Sequence, residues 1–391
     1  MLVPTHSPTP DEVAADPIGV DHMLSADERA VRDRVRAFVD TELRPNIAEW
    51  YENAHLPREL LPAFGELGVL GMMLSGDGLP GRSAVEYGLA AAELEAGDSG
   101  LRTVVSVQGS LAMTAIHSFG SEEQKAQYLP GMAAGHIVGC FGLTEPNAGS
   151  DPGSMTTFAR RDGDDWVLSG AKRWIGLASI ADIAIIWAQT DDGIRGFIVP
   201  TYAPGFTATP ITAKLSMRAS IQCDIELDEV RLPADAVLPE ARGLRGPFTC
   251  LNSARYGIVW GAMGAARDAL ETARRYALER VAFERPIAAA QLTQAKLDVA
   301  TGSLLALQLG RLKDQGLLLP HQISIGKLNN VRTAIRVAQS ARTILGGNGI
   351  TAEYSPMRHV QNLESVRTYE GTDEVHALVI GAALTGMPAF R

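Results

Sequence analysis

The hydrophobic period of this chain changes twice along its length. From Ser25 to about Ala134 apolar residues recur at helical spacing. After Gly139 the pattern shortens to that of strands, and from Pro247 to the end helical spacing returns. Helices, then strands, then helices predict an α+β chain of several domains, not an alternating βα sheet. The expected units are a flexible lead-in over 1–20, an N-terminal all-α domain over 21–136, a middle β domain over 137–245 and a C-terminal helical bundle over 246–391. With 391 residues, 46% of them hydrophobic, the chain has material for two or three cores.

Local signals place the elements. Ser25-Ala-Asp-Glu28 reads as a capping box, with Val31, Val35 and Phe38 following at helical spacing. Further helices are expected over 84–97, 103–119 and 121–134, punctuated by Pro57, Gly68 and a Gly/Pro loop over 76–81. Strands are expected over 156–160, 166–169, 183–189, 196–200 and 223–230, with turns at 162–165 and 191–193. They predict an antiparallel β domain, barrel-like or a sandwich. Helices over 247–283, 289–317, 319–345 and 371–385, joined by short connections, predict a four-helix bundle.

Several function classes are disfavoured. A net charge of -10 argues against a general nucleic-acid binder. Cys140, Cys223 and Cys250 lie far apart, so neither a disulfide framework nor a structural zinc is expected. No apolar run approaches the roughly 18 residues of a membrane span. Residues 1–20 lack Arg and Lys and fit neither a secretory nor a transit leader, so a cytoplasmic protein is expected. Gly76-Asp-Gly78-Leu-Pro-Gly81 matches a dinucleotide fingerprint, but Pro80 interrupts it and helical sequence surrounds it; a helix-to-helix loop explains it better. There is no G-x-S-x-G elbow, no H-E-x-x-H, and the eight histidines form no ligand-spaced cluster, so no metal is expected.

Four segments are candidates for chemistry. In Arg367-Thr-Tyr-Glu-Gly-Thr-Asp-Glu-Val-His376, Glu370 lies on a linker just before a helix that Thr372 would cap, with Asp373 and Glu374 in its first turn. That placement suits a base that must reach a substrate, although a surface glutamate near a helix start has the same signature. Phe141-Gly-Leu-Thr-Glu-Pro-Asn-Ala-Gly-Ser-Asp151 gathers hydroxyls, glycines and acids into one loop, able to bring main-chain N–H groups to a ring or phosphate, or simply a polar hairpin loop. If one helix runs from Glu95 through Arg102, both side chains share a face. The arginine then either clamps a substrate carboxylate, with Thr103 beside it, or forms a plain ion pair. Leu345-Gly-Gly-Asn-Gly-Ile350 reads as a helix C-cap and turn.

These segments, with Gly65-Glu-Leu-Gly-Val-Leu-Gly71, Asp98-Ser-Gly-Leu-Arg-Thr103, Lys214-Leu-Ser-Met-Arg-Ala-Ser220, Ala254-Arg-Tyr-Gly257 and Gly310-Arg-Leu-Lys-Asp-Gln315, occur in an order that resembles the acyl-CoA dehydrogenase family, and within it the glutaryl-CoA dehydrogenases. The resemblance runs from about Leu24 to the C-terminus. It implies FAD between the three domains, a homotetramer, and electron-transfer flavoprotein as acceptor. It makes Glu370 the base that removes the α-proton of an acyl thioester while the β-hydrogen leaves as hydride to the flavin. It assigns flavin contacts to Phe141, Leu143, Thr144, Gly149 and Ser150, with Trp174, Ile175 and Gly176 along the ring system. Arg280, Phe283, Gln291, Gly346 and Gly347 would hold the pyrophosphate and adenosine end, partly across subunits, with Thr372 and Glu374 after the base. Ser150, Asn252, Arg255, Tyr369 and Gly371 would line the acyl-CoA channel. Arg102 and Thr103, supported by Glu95, would hold a distal carboxylate, so the implied reaction is oxidative decarboxylation of glutaryl-CoA to crotonyl-CoA.

Three positions depart from the family pattern. Gly176 stands where Thr is usual, which is expected to remove a donor and open space beside the flavin. Ala282 replaces Gln and Glu284 replaces Gly in the segment 280–286, and an acid near a pyrophosphate must turn outward or pair with Arg285. These departures leave open a flavoenzyme acting on an acyl group borne by a carrier protein, and a non-catalytic acyl-CoA- or FAD-binding homologue.

Overall fold

Capping boxes start the main N-terminal helices. In the computed structural model, which describes residues 9–288 and 291–388, Ser25, Ser83 and Ser121 each accept a hydrogen bond from the N–H three residues on. Glu28, Glu86 and Gln124 return side-chain acceptors to the cap N–H groups. The helices in chain order are α1 (Pro10–Ala15), α2 (Ala26–Phe38), α3 (Ile47–Glu52), α4 (Leu60–Leu67), α5 (Ala84–Gly97), α6 (Ser99–Val105), α7 (Thr114–Phe119) and α8 (Glu122–Ala133). A π-helical stretch, Ser106–Met113, joins α6 to α7. The lead-in holds α1, which Thr9 caps and which is tied down by Arg274 to Asp11 at 2.9 Å and Lys296 to the Ala15 carbonyl at 3.2 Å. The glycine-rich segment 76–81 forms a small hairpin of β1 (Ser75–Gly76) and β2 (Leu79–Pro80), with Gly76, Gly78 and Gly81 at positive φ.

The middle domain is two sheets that do not close into a barrel. One sheet has the order β3 (Gly139–Gly142), β6 (Ile183–Ala188), β7 (Arg195–Pro200). The other is β4 (Phe158–Asp162), β5 (Asp165–Gly176), β9 (Gln222–Leu232), β8 (Phe206–Pro210). The expected all-antiparallel pairing fails at one place: β3 runs parallel to β6. The chain crosses to the second sheet through β4 and β5 before returning, so β3 and β6 need not be joined by a hairpin. Neither β3 nor β8 was expected, being short and, in β3, rich in glycine. β6 is buried along its whole length and accordingly reads as one continuous apolar run.

The C-terminal region holds α9 (Arg245–Glu279), a two-strand hairpin β10 (Val281–Ala282) and β11 (Arg285–Pro286), then α10 (Gln291–Asp314), α11 (Pro320–Ile344), α12 (Ser355–Thr368) and α13 (Asp373–Thr385). Helix α12 is additional to the four expected. Its inner face carries Arg358, His359 and Asn362 as well as Leu363 and Val366, which blurs the apolar period. Those polar residues are spent on buried acids: Arg358 and Asn362 donate to Asp98 at 3.0 and 2.9 Å, and His359 meets Asp268 at 3.0 Å. Helix α5 is buried on nearly all sides and packs on α9. The approach is close because Gly264 has no side chain; a Cβ there would lie 1.9 Å from the Ala92 carbonyl oxygen. Among the described residues no helix is long and apolar enough to cross a membrane, no group of His, Cys, Asp or Glu is placed to hold a metal, and the three cysteines are buried free thiols.

Candidate active site

Glu370 sits in the four-residue turn, 369–372, between α12 and α13. Thr372 caps α13, accepting from the Val375 N–H at 3.4 Å. To make so tight a turn the backbone goes left-handed twice, with φ of 54° at Glu370 and 98° at Gly371. For a non-glycine residue this costs roughly 1–3 kcal/mol and persists only where surroundings hold it. Here they do. Arg255 Nε donates to the Glu370 carbonyl at 2.7 Å, and Lys327 Nζ donates to the carbonyls of Tyr369 and Gly371, the latter at 2.6 Å. The Glu370 side chain points inward, with Oε2 buried and without a hydrogen-bond partner. Burial pushes its carboxyl above the usual range, against the pull of Arg102, Lys327 and Arg255.

Arg102 reaches the same place from α6. It is 1% exposed. Its Nε donates to Glu95 Oε2 at 2.7 Å and its Nη2 to the Tyr369 hydroxyl, while Nη1 is buried with no partner. Burial opposes its charge, but Tyr369, Glu95 and Glu370 more than restore it. The expected single helix from Glu95 to Arg102 is not what joins them: α5 stops at Asp98, which is extended (φ -167°) and caps α6 by accepting from the Gly100 N–H at 2.7 Å. The pair meets across that break. Ser99 Oγ steadies the other oxygen of Glu95 at 2.9 Å. Facing them on α9, Gly261 makes the room, since a Cβ there would lie 2.0 Å from Glu95 Oε2. Thr103 donates to the Ser99 carbonyl at 2.8 Å and flanks the Tyr369 hydroxyl. Asn252 accepts from Arg255 Nη1 at 3.0 Å and lines a cavity of about 360 Å³ with Thr249, Ser253 and Lys313. A larger cavity of about 1050 Å³, beside α1, α2 and α10, contains none of these residues.

A second group of candidates gathers at the sheets. Phe141 and Leu143 are buried, the phenyl ring 5.9 Å from Trp187, while Gly149 and Ser150 are exposed at the loop tip. Glu145 organises the loop: it accepts from the Thr156 and Thr157 N–H groups at 2.6 and 2.9 Å and from buried Lys172 at 2.8 Å, which also reaches the Leu143 carbonyl at 3.1 Å. The Thr144 carbonyl accepts from Arg173 N at 2.8 Å. A bulge in β5 between Lys172 and Ile175 turns Trp174 to φ 63° and leaves it 51% exposed, with Ile175 buried beside it. Gly176 does not open the expected space. A Cβ there would stand 3.1 Å from Val107 Cγ2, so Val107 of the π-helical stretch takes up the room.

Buried Glu145 is held down to about 2, its burial outweighed by Lys172 and the Thr156 and Thr157 donors. This lowered pKa contributes stability that is fully present above the ordinary value near 4.5 and lost as pH falls through about 2. Glu145→Gln leaves Lys172 buried without its counter-charge, at a cost of about 3–5 kcal/mol. The expected result is a lowered urea midpoint, read by denaturation.

Arg280, Phe283, Gly346 and Gly347 stand apart from both groups. Phe283 is 95% exposed on the β10–β11 hairpin, and a Cβ at Gly346 or Gly347 would meet nothing within 4 Å. Among the described residues no hydrogen bond or ring contact joins them to Trp174 or to the loop over 141–151. The Gln291 side chain lies outside the described residues. Glu284 is exposed and turns outward, without an ion pair to Arg285 among the described residues, and Glu374 is exposed in the first turn of α13. The open backbone at Gly149, Gly346 and Gly347 and the exposed rings of Trp174, with Arg173 4.9 Å from its centroid, and Phe283 fit a planar ring system with a phosphate-bearing tail. Sequence reasoning passed over Lys327, Ser106 and Tyr87. Ser106 Oγ is buried and unpartnered one helical turn beyond Arg102, and the Tyr87 hydroxyl meets Ser110 at 2.9 Å. An interior lysine inside a helical pattern was the one signal available for Lys327.

Comparison with known proteins follows this geometry closely. Three family models match in order: Acyl-CoA dehydrogenase, N-terminal domain, over residues 25–136; the middle domain over 140–230; and the C-terminal domain over 241–385. The short-chain specific acyl-CoA dehydrogenase, mitochondrial, of Bos taurus is 35% identical over 376 residues, covering 92% of this chain and 90% of the relative. A crystal structure of glutaryl-CoA dehydrogenase from Mycobacterium smegmatis superposes with a TM-score of 0.95 at 60% identity, covering 97% of this chain and 99% of that one. A second, from the same organism in complex with FADH2, has the same TM-score at 57% identity, covering 97% of this chain and 100% of that one.

Proposed function

The chain belongs to the acyl-CoA dehydrogenase family, FAD-dependent oxidoreductases, and from that premise we propose that it oxidises and decarboxylates glutaryl-CoA to crotonyl-CoA and CO2. The observation that carries this reading is that Nη1 of buried Arg102 and Oε2 of Glu370, on side chains that interact electrostatically, both lack a partner. Three cations, Arg102, Arg255 and Lys327, surround the site against two acids, Glu95 and Glu370. A plain acyl chain leaves that surplus unpaired, whereas a distal carboxylate neutralises it and occupies Nη1.

Glu370 takes the α-proton, its buried carboxylate being a stronger base than one in water. Arg255 and Lys327 hold the turn that presents it. Bound FAD supplies the acceptor for the β-hydrogen and its electron pair. Arg102, with Tyr369 and Thr103, holds the far carboxylate while the bond to it breaks and CO2 departs. The electron pair left behind is delocalised toward the thioester carbonyl, and one proton must be returned to carbon 4; protonated Glu370 is the acid at hand. Phe141, Leu143, Thr144, Gly149, Ser150, Trp174, Ile175 and Gly176 would seat the flavin ring end. Arg280, Phe283, Gln291, Gly346 and Gly347 would complete the other end from a second copy, which supports a homo-oligomer, the tetramer being what the family resemblance implies. Electron-transfer flavoprotein is the proposed acceptor and the cytoplasm the proposed location.

The test is product analysis of FAD-loaded protein with glutaryl-CoA and an artificial acceptor. Crotonyl-CoA with CO2 is expected. Glutaconyl-CoA alone would remove the decarboxylation step. Oxidation of butyryl-CoA with glutaryl-CoA untouched would move the substrate to the plain short chains named by the bovine relative. Reduction only by a carrier-protein thioester would favour a biosynthetic enzyme, and no reduction by any thioester a binding homologue.

A further inference from the structure

Lys327 lies within α11 and is 1% exposed. An ammonium so deep needs partners, and the ones it has are backbone: the carbonyls of Tyr369 and Gly371, which bracket Glu370. The carbonyl between them is taken by Arg255. Three successive carbonyls are therefore turned onto two cations. Every described peptide bond is trans, so the N–H and C=O of each peptide unit lie in one plane and point in opposite directions. With the Tyr369 carbonyl on Lys327, the Glu370 N–H faces away from the lysine, and among the described residues no protein group accepts it.

We propose that Lys327 is a positioning residue for the base: it clasps the left-handed turn so that the carboxylate and the N–H of Glu370 both face the thioester. The inference rests on the function proposed above. Relaxation of the turn to right-handed φ would swing these groups together, because the strain at Glu370 is held by contacts on either side of it. Lys327 also acts through charge. The groups facing Glu370 are Arg102 from α6, Arg255 from α9, Lys327 from α11, and the hydroxyls of Tyr87 and Tyr369. Asp373 faces Lys327 but is held by Arg332 at 2.9 Å and Arg367 at 3.2 Å. His376 is pushed down to about 3 by burial, Lys327 and Arg255, and so stays neutral. Burial lowers Lys327 below the ordinary lysine value, with Glu370 opposing. Its charge in turn favours the ionised form of Glu370.

The test compares FAD-loaded wild type with Lys327→Met, which has neither donor nor charge, and Lys327→Gln, which keeps a donor. Anaerobic flavin reduction by glutaryl-CoA is followed across pH. Lys327→Met is expected to slow the step by about 10–100-fold with KM little changed and to shift the acid limb upward. Lys327→Gln is expected to recover part of the rate but to leave the acid limb shifted. It also carries the test if the methionine variant fails to retain FAD. A second reading needs no turnover: the carboxyl 13C resonance of Glu370, assigned by its loss in Glu370→Gln, should titrate at higher pH in both variants. If wild type ignores glutaryl-CoA yet that resonance shifts, the substrate reading falls and the role of Lys327 stands. Wild-type rates with an unshifted resonance overturn the role of Lys327 alone.

Discussion

Replacing Glu370 by glutamine is expected to slow flavin reduction by glutaryl-CoA by about 10⁴-fold while leaving FAD content and thioester affinity close to wild type. Glutamine keeps the size of the side chain and every backbone contact of the turn, including the Arg255 and Lys327 hydrogen bonds, which go to carbonyls. What it removes is a buried carboxylate with an unpartnered oxygen that interacts with Arg102. A positioned base contributes about 10²–10⁴-fold, and the α-proton of a thioester is only weakly acidic, so the upper end is expected. The pH profile gives a second check. Burial raises the Glu370 carboxyl, and the base works only when ionised, so wild-type activity should fall as pH drops through that raised value, above the ordinary carboxylate range. Stopped-flow reduction at several pH values measures both. A glutamine variant that reduced flavin at a tenth of the wild-type rate would show that another group takes the proton.

The turn that carries the proposed base was legible because its surroundings are local. Thr372 as cap, the acidic first turn and the glycine after Glu370 are all short-range signals, and the structure keeps each of them. The loop over 141–151 was legible for the same reason. Lys327 and Ser106 were not, since what singles them out is the identity of their neighbours from other elements. Nothing in the sequence of α11 says that its lysine ends on carbonyls forty-two and forty-four residues away. The Glu95–Arg102 pair shows a subtler limit. Helical spacing predicted the meeting, but the helix breaks at Asp98, and the meeting is made by the capped restart of α6 and the missing side chain at Gly261. Gly176 shows the opposite case: a small residue suggested space, and packing against Val107 had already filled it.

Arg102→Met should convert selectivity instead of abolishing chemistry. The expected result is a fall in kcat/KM for glutaryl-CoA of between about a hundredfold and a few thousandfold, from about 3–5 kcal/mol for a buried charge losing its partner. Butyryl-CoA carries no distal charge and should keep its rate or gain. The ratio of the two is the measurement, because it cancels any general loss of activity. One complication is built into the site. Removing the guanidinium strands Glu95, which is fully buried and keeps only Ser99 as a donor among the described residues. The single variant should therefore also lose stability. Pairing it with Glu95→Gln removes that stranded charge, so the double variant should recover the denaturation midpoint without recovering glutaryl-CoA selectivity. That separation matters, since Arg102 also donates to Tyr369 and so touches the turn that carries the base. If the double variant regained both stability and the wild-type ratio, the arginine would be a structural ion pair and the distal carboxylate would be held elsewhere. If stability returns and the ratio stays low, the free Nη1 is what reads the carboxylate. Butyryl-CoA turnover in the same protein then confirms that Glu370 is still in place.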